Sequence, residues 1–227
     1  MSKVDVLNVV TARSIWLFDI AELNPSGRSL FPDVFEWLKG LYEFEKVPSS
    51  VTDVDETKGL VFSRGRYEIK DKPMNIDVDV ELKIYHDGMV ANSQSSTKYT
   101  DAFLEDTLTS LSVEFGMRYG SEMIKRKLYV SELNVKSNKS LRGINPELEH
   151  FAEGIRQLLP AKQSVEFEFG GVSFWPRQTL PPTPMVAFHI ERKANTDQSE
   201  QKYFSRAPLQ TDDHIVLLNE FESTFMI

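Results

Sequence analysis

The chain has 227 residues, no cysteine, and 34 acidic against 26 basic side chains, which give a net charge of −8. The lack of cysteine excludes disulfides, thiolate metal sites and cysteine nucleophiles, and a chain without a clustered basic stripe is a poor candidate for binding nucleic acid. Residues 1–117 hold 20 acidic and 12 basic side chains, whereas residues 118–227 hold 14 of each, so the net charge comes from the first half.

The first half begins with a strand and an amphipathic helix. Residues 15–18 form a short continuous apolar run, which is typical of a strand covered on both faces. Pro32 suits the first turn of a helix, and the apolar residues that follow it recur at helical spacing before Pro48. A second strand is predicted over residues 59–70.

Two more strands and a closing helix complete the first half. Residues 76–84 alternate between apolar and charged side chains, which is the pattern of a strand with one buried face. His86, Asp87 and Gly88 are predicted to turn the chain into the next strand. Thr100 is predicted to be the N-cap of a helix whose leucines recur on one stripe.

The second half repeats this order with different side chains. Its predicted elements are a strand from Leu128, a helix begun by Asn145 and Pro146, strands at residues 165–169, 186–190 and 203–204, and a final helix capped by Thr211. Landmarks recur at an offset of about 110 residues, which indicates an internal repeat. The matched landmarks are Ala21–Asn24 with Ser131–Asn134, Ser29–Leu30 with Ser140–Leu141, and Thr100–Asp101 with Thr211–Asp212.

These patterns predict an α+β protein with one repeat in residues 1–117 and a second in residues 118–227. Strands with one apolar and one polar face need helices on the apolar side only. We therefore expect two tandem β-α-β-β-β-α repeats, with antiparallel sheets that are each covered on one face by helices. The element order resembles, at the level of the fold, the two-repeat saddle of the TATA-box-binding protein and the helix-grip folds. This resemblance concerns architecture and transfers no function.

Acidic side chains at alternate strand positions are the first candidate contact site. They are Asp77, Asp79 and Glu81 in the first half, and Glu166 and Glu168 in the second. Carboxylates spaced in this way point to the same side, where they would repel a phosphate backbone and attract a partner with a basic surface. The same geometry is also compatible with Mg²⁺ binding or acid–base catalysis.

Basic and aromatic residues supply the other candidates for partner binding. Arg64 and Arg66 are predicted to lie on one side of a strand, where they could clamp an anionic group or pair with neighbouring acids. Trp175 and Arg177 open a loop rich in proline that ends at Pro184. Such a loop tends toward an extended conformation that a partner can bind at low entropic cost.

The sequence contains no recognisable catalytic or metal-binding motif, and we predict no catalytic residue, metal or cofactor. The four histidines lack metal-ligand spacing, and no nucleophile elbow or phosphate-binding loop is found. No apolar run approaches the roughly 18 residues of a membrane span. The leading prediction is a cytoplasmic, non-enzymatic binding or assembly module with a protein partner, without nucleic acid or membrane, and compatible with a homo-oligomer.

Three other functions remain open from the sequence. The first is a metal-dependent enzyme that uses the strand carboxylates. The second is a small-molecule binder, because helix-grip sheets can enclose a cavity. The third is an acidic mimic of nucleic-acid charge that occupies a basic protein surface.

Overall fold

The computed structural model describes residues 3–27, 31–48, 59–69, 75–142, 144–160, 166–177 and 185–226. In these ranges the strands and α-helices are, in chain order, β1 (Asp5–Leu17), α1 (Phe31–Leu41), β2 (Leu60–Ile69), β3 (Ile76–Tyr85), β4 (Gly88–Ser93), α2 (Thr97–Phe115), β5 (Arg126–Lys136), α3 (Pro146–Leu158), β6 (Gly171–Phe174), β7 (Phe188–Arg192), β8 (Lys202–Ala207) and α4 (Thr211–Phe225). The order β-α-β-β-β-α occurs twice, so the predicted α+β class and tandem arrangement are confirmed.

The chain divides into two compact units. The N-terminal unit comprises Val10–Ser131 and Leu209–Thr211. The C-terminal unit comprises Met1–Val9, Glu132–Pro208 and Asp212–Ile227. Because the divisions fall inside β1 and β5, these two strands contribute residues to both units.

The N-terminal unit is built on the strand order β2-β3-β4-β1-β5. Strand β4 pairs antiparallel with both β1 and β3, and β3 pairs antiparallel with β2. Along β3 the side chains of Val78, Val80 and Leu82 are buried, whereas Asp77 and Asp79 are exposed. The alternation read from the sequence therefore describes a strand with one core face and one solvent face.

Both helices of the N-terminal unit pack on the apolar face of its strands. In α1 the buried residues Phe35 and Leu38 lie at helical spacing, and in α2 the same holds for Leu104, Leu108 and Leu111. These side chains join the buried residues of the strands in one hydrophobic cluster. Burial of this one face explains why the opposite face of the strands is charged.

The C-terminal unit follows the strand order β1-β5-β8-β7-β6 and has a smaller core. The antiparallel pairs β7/β8 and β6/β7 are equivalent in chain order to the pairs of the first repeat. Helix α4 supplies Leu218 and Phe221 to the cluster, in which they meet strand residues such as Leu133 and Ile190. Helix α3 has one buried residue, Ala152.

Two of the predicted element boundaries are wrong. Helix α2 begins at Thr97, and the side chain of Ser96 accepts a hydrogen bond from the Lys98 amide, so Ser96 and not Thr100 is the N-cap. Residues 166–170 form no strand, although they alternate in hydrophobicity, and β6 begins only at Gly171. A Cβ at Gly171 would lie 2.8 Å from the Ile190 carbonyl oxygen. The glycine therefore stands where β6 and β7 approach closely.

The internal repeat has a different register from the one inferred from the letters. Ala21 to Leu23 form a short 3-10 helix after β1, whereas Ser131 to Asn134 lie inside β5, so these landmarks are not equivalent. Strands β4 and β8 start at Gly88 and Lys202, and helices α2 and α4 start at Thr97 and Thr211. The strand starts and the helix starts are both separated by 114 residues. The landmark Ser29–Leu30 lies outside the described residues.

Thr97 and Thr211, the first residues of α2 and α4, exchange two hydrogen bonds. The Thr97 amide donates to the Thr211 hydroxyl at 3.0 Å, and the Thr211 amide donates to the Thr97 hydroxyl at 2.8 Å. Both residues are buried. The first amides of a helix have no partner within that helix, so each threonine satisfies a buried amide of the other helix.

We expect Thr97→Ala to lower the free energy of unfolding by about 1–2 kcal/mol, because the buried Thr211 amide loses its acceptor. Urea unfolding would measure this loss. Thr97→Ser is the matched control, since it keeps the hydroxyl and should retain most of the stability. Equal destabilisation by both variants would show that packing of the methyl group, and not the hydrogen bond, is responsible.

Candidate functional site

The predicted acidic residues of the first repeat lie on the solvent face of β3. Asp77 and Asp79 are exposed, and the partly exposed Glu81 is held by Lys83 at 3.2 Å and by the Asn92 amide at 2.9 Å. Glu68 lies directly opposite Asp77 in the β2–β3 register. Like charges at directly opposed positions destabilise a sheet, so this pair of carboxylates is electrostatically unfavourable.

Arg64 and Arg66 do not form a shared clamp. Strand β2 has an irregularity between Phe62 and Gly65, and Arg64 there adopts a left-handed backbone conformation with φ of 57°. The bulge interrupts the alternation that would place the two side chains together. Arg64 forms an ion pair with Glu45 at 3.0 Å, whereas Arg66 lies opposite Asp79 in the register.

The two acidic residues of the second repeat have different environments. Glu166 is exposed and lies outside any strand. Glu168 is largely buried in a cleft of the C-terminal unit, where it pairs with Arg192 and, at 3.4 Å, with Arg142. Its carboxylate is therefore neutralised by two guanidinium groups and is not presented on a strand face as predicted.

Trp175 and Arg177 are both exposed at the end of β6, as expected for a contact site. The indole of Trp175 is 80% exposed, and the preceding Phe174 is 56% exposed although its ring lies 5.9 Å from that of Phe188. The proline-rich segment at residues 178–184 lies outside the described residues. The structure therefore brings two adjacent aromatic side chains to the surface at one end of a short strand.

Exposed apolar side chains are distributed unevenly between the two units. Of the 13 large apolar side chains that are exposed in the described ranges, 11 belong to the C-terminal unit. They are Val6, Leu7, Leu148, Phe151, Leu158, Phe167, Phe174, Trp175, Met185, Val216 and Phe225. Single exposed apolar residues are ordinary, and it is a contiguous patch of them that marks an interaction surface.

Helix α3 shows how the two repeats differ. Its counterpart α1 buries its apolar stripe, including Leu38 at 0% exposure. In α3 the apolar residues Phe151 and Leu158 are 68% and 89% exposed, and Leu148 is exposed as well. The same amphipathic pattern thus serves core packing in one repeat and leaves an uncovered face in the other.

The edge strands of the two repeats also differ. The outer side of β2 is occupied by the chain itself, because Lys46 and Ser63 form an antiparallel bridge and the Arg66 amide donates to the Tyr42 carbonyl at 2.7 Å. Strand β6 is last in its strand order, and in the described part of the chain no backbone group pairs with its outer side. An open edge can accept a further strand.

Sequence reasoning proposed Trp175 as a contact residue and did not point to Phe174 or to the exposed face of α3. An amphipathic stripe has the same periodicity whether or not a partner element covers it, so the sequence of α3 predicts a core face. Phe174 belongs to a four-residue strand, which is too short to give a clear pattern. Exposure of these side chains depends on tertiary packing and has no local signal.

The described residues contain no group of three or more histidine, aspartate or glutamate side chains placed to hold a metal ion. They also contain no helix that is long and apolar enough to cross a membrane.

Comparison with known proteins adds little to these observations. No protein-family model matches the chain, and no curated protein matches it. Among solved structures, the chain is similar to one described as "Methanococcus jannaschii TBP", with 16% sequence identity, 98% of each chain covered and a TM-score of 0.41. The fold assignment rests on the order and pairing of the strands and helices themselves.

Proposed function

We propose that the protein is a binding or assembly module that contacts a protein partner through the exposed apolar side chains of its C-terminal unit. The uneven distribution of exposed apolar residues between the two units carries this proposal. Aromatic side chains are enriched at the centres of protein interfaces, because they bury a large area at a small entropic cost. Phe174 and Trp175 are the anchors that we assign to the contact.

A second contact involves the acidic face of the N-terminal unit. The opposed carboxylates of Glu68 and Asp77 favour a partner with basic side chains at this position. Charges at exposed positions mainly accelerate association and contribute little affinity. In this proposal the apolar anchors supply the binding energy and the acidic face steers the partner.

The test compares two variants of the full chain. Partners recovered from native cells with the full chain as bait are purified, and their affinity is measured by titration calorimetry. We expect the double variant Phe174→Ser with Trp175→Ser to weaken binding about tenfold or more, because truncation of an interface anchor costs more than about 1 kcal/mol. Sedimentation of the bait alone identifies the case in which the partner is a second copy of the chain.

Val113→Ser is the matched control, because Val113 is 81% exposed on α2 in the N-terminal unit. This variant should bind as tightly as the unmodified chain. Unchanged affinity of the Phe174/Trp175 variant would contradict the proposal, as would equal weakening by the control.

A further inference from the structure

Three side chains on the solvent face of β6 and β7 form a contiguous series, with one hydrogen bond and one close charged contact. The hydroxyl oxygen of Ser173 lies 2.6 Å from Nδ1 of His189, and Nε2 of His189 lies 3.0 Å from Oε2 of Glu191. Ser173 and His189 are directly opposite in the β6–β7 register. Glu191 is two residues beyond His189 on the same strand and therefore shares its face.

The contacts assign the protons of this series. The Glu191 carboxylate lies 3.0 Å from Nε2 of His189 and therefore favours the tautomer with the proton on Nε2. Nδ1 of the neutral ring then has a free lone pair, and the Ser173 hydroxyl donates to it. The hydroxyl of Ser173 is thus oriented toward a base, and the base is oriented by a third group, which is the arrangement of an activated nucleophile.

The backbone of Ser173 adds a hydrogen-bond donor. The Arg192 amide donates to the Gly170 carbonyl at 2.7 Å, so these two residues form a hydrogen-bonded pair of the antiparallel ladder. Because the two kinds of pair alternate along the ladder, Gly171–Glu191 and Ser173–His189 are non-hydrogen-bonded pairs. Side chains are closest in such pairs, and the Ser173 amide points away from β7 toward the outer edge. In the described residues it has no backbone partner there.

We propose that Ser173 is an acyl-accepting nucleophile with His189 as its general base and Glu191 as a positioning residue, and that this site hydrolyses small carboxylic esters. The inference is independent of the partner contact, because it requires only these three side chains.

Each step of the reaction balances. The Ser173 oxygen attacks the ester carbonyl carbon while its proton passes to Nδ1 of His189, and the Ser173 amide donates to the developing oxyanion. The carbon–oxygen bond to the alcohol breaks, and the alcohol leaves with the proton from Nδ1. Water then attacks the acyl group on Ser173, gives its proton to His189, and releases the carboxylic acid as the proton returns to the serine oxygen.

The surroundings of the series favour small substrates. His189 is partly exposed on an open strand face, and Arg206 lies opposite it on β8. The Arg206 guanidinium binds Glu132 at 2.6 Å, so its charge is already paired. With one backbone donor and exposed side chains at Ser173 and Glu191, we expect slow turnover of activated esters.

The experiment uses the full chain with p-nitrophenyl acetate, followed by peptide mapping of the acetylated protein. Exposed imidazoles hydrolyse this ester without a serine, so the site of acetylation decides the result. We expect acetyl on Ser173, and a loss of about 100-fold or more in kcat/KM in Ser173→Ala, because the variant lacks the nucleophile on which the His189 base acts. His86→Gln removes an exposed turn histidine outside the site and should lower the rate far less than Ser173→Ala does.

Glu191→Gln separates positioning from a structural role. Loss of the carboxylate removes the group that orients the imidazole, so kcat should fall while KM stays unchanged, and Glu191→Asp should restore part of the lost kcat. Circular dichroism establishes that each variant is folded. The proposal is overturned if Ser173→Ala retains the wild-type rate in the folded state, or if acetyl is found elsewhere but not on Ser173.

Discussion

Gly88→Ala should lower the free energy of unfolding by about 3 kcal/mol, the upper end of what overpacking costs. Gly88 is the first residue of β4 and pairs with both Leu17 and Tyr85. A Cβ at this position would lie 2.1 Å from the Trp16 carbonyl oxygen and 3.1 Å from the Leu17 Cα. Both atoms belong to the backbone of β1, so the clash can be relieved only by separating two paired strands.

Urea unfolding of Gly88→Ala and Gly40→Ala provides the measurement. Gly40 lies in α1, where an added Cβ meets no atom within 4 Å. Because alanine is a better helix former than glycine, Gly40→Ala should stabilise the protein by about 0.5–1 kcal/mol. Opposite signs for the two substitutions are expected. A Gly88→Ala variant as stable as the parent chain would mean that β1 and β4 are farther apart than the structure shows.

The elements that could be predicted from the sequence are those with a strong local signal. The alternation in β3 is confirmed by its alternating burial. The Asn145–Pro146 start of α3 is confirmed as well, since the amide of Glu147 donates to the Asn145 side chain at 2.9 Å. The first part of β1 was not predicted, because residues 5–8 are exposed and lack an apolar run. Its strand conformation depends on pairing with distant strands, which has no local pattern.

The turn at His86–Gly88 combines a local sequence signal with a cause that lies far away in the chain. The sequence predicts a turn from the Asp-Gly pair. The reason for glycine is the close approach of the Trp16 carbonyl, about seventy residues away in the chain. The pairing of Ser173 with His189 is another non-local contact. The exposed face of α3 likewise depends on tertiary structure, because no other element in the described residues covers it. In each case the local pattern is compatible with several environments, and tertiary structure selects one.

His214 has a role that its position in the sequence did not indicate. It lies in the first turn of α4, and its side chain is fully buried. The Ser205 hydroxyl donates to the His189 carbonyl at 2.8 Å, so its oxygen accepts the hydrogen bond from Nε2 of His214 at 2.9 Å. Nε2 of the buried ring therefore carries a proton.

Acidification should destabilise the protein through this histidine. Burial lowers the pKa of His214 from its ordinary 6.5 to about 4. Between these two values the unfolded chain binds a proton that the folded chain does not, so stability falls as pH falls. The contribution is fully present above pH 6.5 and is lost progressively down to about pH 4, and it amounts to roughly 3 kcal/mol at 1.36 kcal/mol per pH unit.

His214→Gln tests this linkage, because glutamine retains a donor for Ser205 but does not titrate. Urea unfolding across the interval between the two pKa values should show a steeper loss of stability in the parent chain than in the variant. Carboxylates elsewhere titrate in both proteins, so the difference between the two curves isolates His214. Parallel curves would show that the folded protein accepts a proton at this site, and that the ring is more accessible to water than its buried position implies.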